Sequence, residues 1–173
     1  IKNANAEYVY IFPNNSNIVM AASQACEIVE DVKSFVIPSK TILQGISSAI
    51  RFNPEISAEE NFKEMKSALK NIKSGEVTFS IRDTEINGIH INKDDFIGIV
   101  EKEIVISSKD KFEAICGLIS KMIDDISSII TIIYGSDVSK EEALKVQEFV
   151  SEQFPDLDID LREGNQPVYS FLV

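Results

Sequence analysis

Two apolar runs without alternation, Tyr8 to Phe12 and Ser34 to Ile37, each end in a polar turn. The first turn is PNNSN, Pro13 to Asn17; the second is IPSKTILQG, Ile37 to Gly45. Helical spacing follows each turn. A strand that is apolar on both sides needs cover on both faces, which is the habit of a parallel sheet layered with helices. The spacing predicts a helix from Ser16 to Val29, with Ile18, Ala22, Ala25, Cys26 and Val29 along one side and Asn15 or Ser16 as its cap. Thr41 opens a short helix with Ile42, Ile46 and Ile50 on one face. Ser57-Ala58-Glu59-Glu60 is a capping box. The helix it opens carries Phe62, Met65, Leu69 and Ile72, with Gly75 as its stop. Residues 1–75 therefore read β-α-β-α-α, a parallel α/β lobe. In such folds ligands and partners collect where strands end and helices begin, so the two turns mark one shared surface.

The pattern then changes. Val77, Phe79 and Ile81 alternate with Thr78, Ser80 and Arg82, which marks a half-buried strand. Asn87-Gly88 is a tight-turn signal. Phe96 to Val100 and Ile104 to Ser107, joined at Glu101-Lys102, continue an antiparallel meander. A helix follows from Lys109 to Ile126, with Phe112, Ile115, Ile119, Met122 and Ile126 inward. Ile129 to Tyr134 reads as a buried strand. Ser139 and Glu142 form a second capping box, before a helix with Leu144, Val150 and Phe154 inward. Leu157 to Leu161 and Val168 to Leu172 close the chain as strands. Residues 76–173 are thus a mixed, largely antiparallel α+β lobe, with the boundary near Ser74-Gly75.

Charge narrows the partners. The net charge of −11 leaves no basic stripe to neutralise phosphates, so no nucleic-acid footprint is expected. It also opposes anionic membranes. The longest apolar stretches, such as Ile129 to Tyr134, are far too short to span a bilayer. Cys26 and Cys116 both fall on apolar helix faces, so buried free thiols and a reducing, cytoplasmic compartment are expected. The chain opens at Ile1 in what reads as the tail of an element, so a longer parent protein is expected.

Catalytic constellations are scarce. His90 is the single histidine, no Cys/His pair has metal spacing, and neither G-x-x-x-x-G-K-[ST] nor G-x-G-x-x-G occurs. Asp156, Asp158 and Asp160 alternate on one strand, where a solvated face explains them better than a cation site. The polar turns carry the remaining signal. Capping accounts for Ser16, Thr41 and Gln44, but not for Asn14, Asn17 and Lys40. Arg82-Asp83-Thr84 is a third polar group. Lys40 and Arg82 could clamp a partner loop or a phosphorylated ligand, although a simple turn with Arg82 solvated fits the spacing better.

Five strings stand out together: FPNNSNIVMAASQA, VIPSKTILQGISSAI, SGEVTFSIRDTEINGIHINKDDFIGI, IIYGSDVSKEEA and EGNQPVYSFLV. Collinear and spread over nearly the whole chain, they resemble the carboxy-terminal region of the bacterial fatty acid kinase subunit, which is related to dihydroxyacetone kinases. The resemblance implies a DegV-like two-lobe fold. It implies a non-catalytic region that docks a separate DegV-like fatty-acid carrier, so that the whole complex phosphorylates the carried fatty acid for phospholipid synthesis. ATP and magnesium would belong to an amino-terminal domain, leaving no cofactor or metal here. The partners implied are the carrier and the remaining kinase domains, and a homodimer of the full protein is compatible with it. The alternative is a DegV-like lipid-binding module that itself holds a fatty acid. Carried over by position, the partner-binding residues are Asn14, Asn15, Asn17, Lys40, Thr41, Gln44, Arg82, Asp83, Thr84, Gln166 and Tyr169. The chain departs from the family pattern at Ser39, Leu43 and Ser170, where threonine, proline and proline are usual.

Overall fold

The computed structural model describes residues 1–173, which divide into two compact units, Ile1–Ile72 and Lys73–Val173. In the first unit a 3-10 turn at Lys2–Ala4 precedes β1 (Tyr8–Ile11), α1 (Ser16–Ile28), β2 (Lys33–Val36), α2 (Ile42–Ala49) and α3 (Ala58–Ala68). β1 and β2 pair in parallel, Tyr8 opposite Lys33, with α1 as the crossover. The β-α-β order is as expected, but neither strand is buried on both faces: Tyr8 and Lys33 are exposed and the other residues of β1 and β2 are half-buried.

The packing of this unit is thin. Its buried apolar residues are Ile37, Leu43 and Met65, beside four buried polar ones, Ser39, Gln44, Ser48 and Asn61. Every one of those four is hydrogen-bonded, as burial demands. An aromatic stack adds cover: Tyr10 lies over Phe35 and Phe35 over Phe62, at centroid distances of 5.4 and 5.3 Å. The Tyr10 hydroxyl donates to the Ala58 carbonyl at 3.0 Å, tying β1 to the start of α3. α1 contains no fully buried residue, and Cys26 is only half-buried, against the expectation of two buried thiols.

The second unit contains β3 (Gly75–Phe79), β4 (Thr84–Ile86), β5 (Ile89–Ile91), β6 (Phe96–Val100), β7 (Glu103–Ser108), α4 (Lys111–Met122), β8 (Ile129–Tyr134), α5 (Lys140–Gln153), β9 (Asp158–Glu163) and β10 (Phe171–Leu172). Six strands form one sheet in the order β7-β6-β3-β10-β8-β9, and β4 pairs with β5 as a separate hairpin. Only β8 and β9 run parallel in the large sheet, with α5 as their crossover. The β4–β5 turn is Asn87-Gly88, both at positive φ (53° and 77°), the geometry a two-residue hairpin favours. One core holds the sheet to both helices. Its members include Val77, Ile115, Leu118, Ile119, Ile132, Val146, Val150 and Phe171.

Several sequence expectations shift. Gly75 does not stop a helix; α3 ends at Ala68, a 3-10 turn spans Leu69–Asn71, and Gly75 opens β3 against Val100. α4 ends at Met122, so Ile126 lies beyond it and is 87% exposed rather than inward. Phe112 and Leu144 also face outward, because Ala114 and Ile115 on α4, and Ala143 and Val146 on α5, take the inner positions. Ile81 lies past the end of β3 and is exposed. The last strand shrinks to Phe171–Leu172, since Val168 sits at positive φ and leaves the ladder.

Candidate functional site

The two polar turns of the first unit are joined by one side chain. Asn14 has φ of 54°, a left-handed conformation that asparagine tolerates better than most residues. That bend brings it to the second turn. The Ser39 hydroxyl donates to Asn14 Oδ1 at 2.8 Å, while the Asn14 backbone N–H donates to Ser39 Oγ at 3.1 Å. Asn14 also lies directly over Gly45, where any Cβ would overlap its amide. Gly45 is therefore small so that Asn14 can close on α2.

The caps use most of the remaining polar groups. Asn15 caps α1 by accepting from the Asn17 N–H at 2.9 Å. Thr41 Oγ1 accepts from the Gln44 N–H at 3.2 Å, and Gln44 Oε1 accepts from the Lys40 N–H at 2.8 Å. The carboxamide thus reaches one residue further back than in a standard capping box, which explains why Gln44 is buried. Asn17 and Lys40 are exposed at the rim. Six of the sequence-predicted residues, Asn14, Asn15, Asn17, Lys40, Thr41 and Gln44, are in this way gathered at one end of the first unit.

In the second unit the predicted residues form two separate groups. Asp83 Oδ1 accepts from the Lys93 N–H at 2.7 Å, and the Ser80 hydroxyl donates to the Arg82 carbonyl at 2.7 Å. Arg82 itself is exposed, and Thr84 begins β4. The other group is the β9–β10 connection. Gln166 Nε2 donates to the carbonyls of Ile133 and Tyr169, at 3.3 and 3.2 Å. The Gln166 carbonyl accepts from the Ser136 N–H at 3.1 Å. Gln166 thereby ties β10 to the end of β8. The Tyr169 phenol is shifted upward, first by the negative charge of Glu76 and then by burial, and burial raises the Glu76 carboxyl too. No hydrogen bond joins Arg82–Thr84 to Gln166 or Tyr169.

A further network joins residues far apart in the sequence. Asp137, in the turn from β8 to α5, accepts from the Ser170 hydroxyl at 2.7 Å and pairs with the Lys111 ammonium at 3.0 Å. Lys111 also donates to the Asp137 carbonyl at 2.6 Å and lies over the Phe96 ring. Burial alone would raise the Asp137 carboxyl; the Ser170 and Lys111 contacts outweigh it and hold the group below its usual range. A cleft of about 360 Å³ opens beside this network, lined by Asp110, Lys111, Phe112, Glu142, Lys145, Val146 and Phe171. Two carboxylates and two ammonium groups balance in it. The string YGSDVSK contained Asp137, but its partners lie 26 and 33 residues away in sequence, at Lys111 and Ser170.

These arrangements are suited to holding shape rather than to making bonds. Ser39 and Ser170 are fully buried, and their hydroxyls are committed to Asn14 and Asp137. The Cys116 thiol is pushed up to about 11 by burial and by the Asp110 charge, so it remains protonated at neutral pH. No group of three or more His, Cys, Asp or Glu side chains is placed to hold a metal ion. No helix is long and apolar enough to cross a membrane.

Comparison with known proteins adds the lineage. The family model for the FakA-like C-terminal region of fatty acid kinases matches residues 1–173. Protein YloV of Bacillus subtilis is 46% identical over 173 residues, all of this chain and 31% of that protein. The chain thus spans about a third of the length of the curated relatives it matches. Among solved structures, a DegV family protein from Ruminococcus gnavus with vaccenic acid aligns at TM-score 0.69 and 12% identity, over 99% of this chain and 74% of that one. The fatty acid kinase B3 protein of Streptococcus pneumoniae, loaded with linoleic acid, aligns at TM-score 0.63 and 11% identity, over 98% and 72%. At such identities the likeness concerns the fold: this is an α/β DegV-like fold with mixed sheets and helices, of the two-lobe type.

Proposed function

The chain belongs to the FakA-like C-terminal family of fatty acid kinases, and from that premise we propose that it is the acyl-handling module of a fatty acid kinase. The observation that carries this reading is the fold, shared over nearly the whole chain with DegV-type proteins solved with vaccenic and linoleic acids. In its direct form, the module holds a fatty acid itself. Calorimetric titration of delipidated protein with linoleic acid tests it. Saturable binding of one acid per chain is expected; heats no larger than those of dilution would overturn it.

A second reading is favoured by a specific observation. A carboxylate is held by free donors, yet the hydroxyl of Ser39 and the backbone N–H groups of Lys40 and Gln44 are satisfied within the turns. Meanwhile Ile42, Ile46 and Ile50 stand out from α2. A closed polar clasp beside an apolar face suits docking of a separate lipid-carrying protein. ATP and magnesium then act in other parts of the longer protein, and Lys40 and Arg82 supply charged contacts to the partner. Double substitution of Lys40 and Arg82 by alanine is expected to weaken capture of a DegV-type carrier; undiminished capture would remove these residues from the interface.

A further inference from the structure

α2 is amphipathic in an unusual sense. Leu43, Gln44, Gly45 and Ser48 are its buried residues, so the inner face is largely small or polar. Ile42, Ile46 and Ile50, at i, i+4 and i+8, form a stripe on the outer face and are 49%, 47% and 76% exposed. Three β-branched apolar side chains in one exposed row are not explained by helix propensity, which favours other residues on a solvated face.

Along the sequence, the charge flanking this stripe runs opposite to that of the chain. The protein carries −11 overall, yet Val32 to Pro54 contains Lys33, Lys40 and Arg51 and no acid. Lys33 is engaged by Glu59. Lys40 and Arg51 are exposed and form no ion pair. They flank the stripe, one just before the N-cap Thr41 and the other just after the C-cap Ile50. No acid occupies the first turn of α2, so the positive end of its dipole adds to Lys40. An apolar row about 12 Å long, with a cation at each end, is thus set in an acidic protein.

We propose that the outer face of α2 is the docking surface for a partner protein that presents an apolar patch rimmed by carboxylates. The proposal rests on the docking reading above and locates it. Charge complementarity selects the partner: the two unpaired cations attract an acidic rim, while the rest of the chain repels one. The same overall charge disfavours an anionic membrane as the occupant.

The test uses this chain and the linoleate-loaded fatty acid kinase B3 protein of Streptococcus pneumoniae as probe, in calorimetric titrations. Ile46→Asp and Ile50→Asp should weaken binding at least tenfold. Ile126→Asp, at an exposed residue of the second unit, should change it less than twofold. A Lys40→Glu, Arg51→Glu double variant should weaken binding and reverse the sign of its salt dependence. Far-ultraviolet circular dichroism and melting of each variant establish that it folds. Binding by wild type that the stripe variants leave intact overturns the placement while preserving docking. Absence of wild-type binding overturns docking and the placement with it. Two further results also overturn the proposal: self-association of the chain abolished by Ile46→Asp, which makes a second copy the occupant, and binding to phosphatidylglycerol vesicles abolished by it, which makes a membrane the occupant.

Discussion

The two units solve the same folding problem with different materials. The second unit closes a six-stranded sheet under two helices with a continuous apolar core, from Val77 through Leu118 and Ile132 to Phe171. The first unit has a two-stranded sheet, and its buried apolar residues are only Ile37, Leu43 and Met65. Much of its interior is hydrogen bonds: Asn14 to Ser39, Gln44 to Lys40, Ser48 to Met65, and Asn61 to the Asn53 and Ile56 backbone. The lesson is one of specificity. Apolar burial is roughly additive and tolerant, whereas a polar clasp demands particular groups at particular places. The first unit therefore fixes the geometry of its turns tightly while leaving isoleucines on its outer surface.

This contrast can be broken most sharply by truncation in the apolar core. Leu118→Ala should cost about 3 kcal/mol in chemical denaturation, through lost burial and the cavity left among Gly75, Gly98 and their neighbours. A loss below about 1 kcal/mol would mean that the second unit does not depend on that core. In the first unit the corresponding lever is polar. Asn14→Ala should cost about 2 kcal/mol, because alanine suits a left-handed φ poorly and the Ser39 hydroxyl loses its acceptor in a buried place. A neutral outcome would show that the two turns hold together without the clasp.

How much of this was visible in the sequence follows the same division. The β-α-β order, both Ser capping boxes and the Asn87-Gly88 hairpin were legible, because each rests on local periodicity or on neighbours within three residues. The direction of a face was less so. Ile42, Ile46 and Ile50 were visible as a row, but spacing does not say whether a row points in or out, and here Leu43 takes the inner side. The same ambiguity holds for Phe112 and Leu144, whose spacing suits an inward face that Ile115 and Val146 occupy instead. Asn14 was visible as a residue that capping left unexplained. Its role needed Ser39 and Gly45, which only the tertiary fold brings to it. Asp137, Lys111 and Ser170 were invisible as a group, since each alone is an ordinary polar residue.

Smaller effects sharpen the comparison further. Asp137→Asn should destabilise the second unit by about 1 kcal/mol at neutral pH, a modest value because the pair is partly exposed. The folded carboxyl lies below its unfolded value, so its contribution is present above the unfolded value and is lost as pH falls through the folded one. The gap between wild type and Asp137→Asn in melting temperature should therefore close below about pH 4. A gap that persists unchanged at about pH 3 would assign the effect to packing instead. The smallest expected change is Ile46→Ala, within about 0.5 kcal/mol of wild type, because its side chain already faces solvent. A large loss there would place the isoleucine row inside the fold rather than on its surface.

The functional reading is tested most directly by native mass spectrometry of the protein as purified from bacterial cells. An acyl-handling module that holds its own lipid predicts a species heavier than the bare chain by one fatty acid, displaced by added linoleic acid. The bare chain alone, before and after incubation with excess linoleic acid, would contradict that claim.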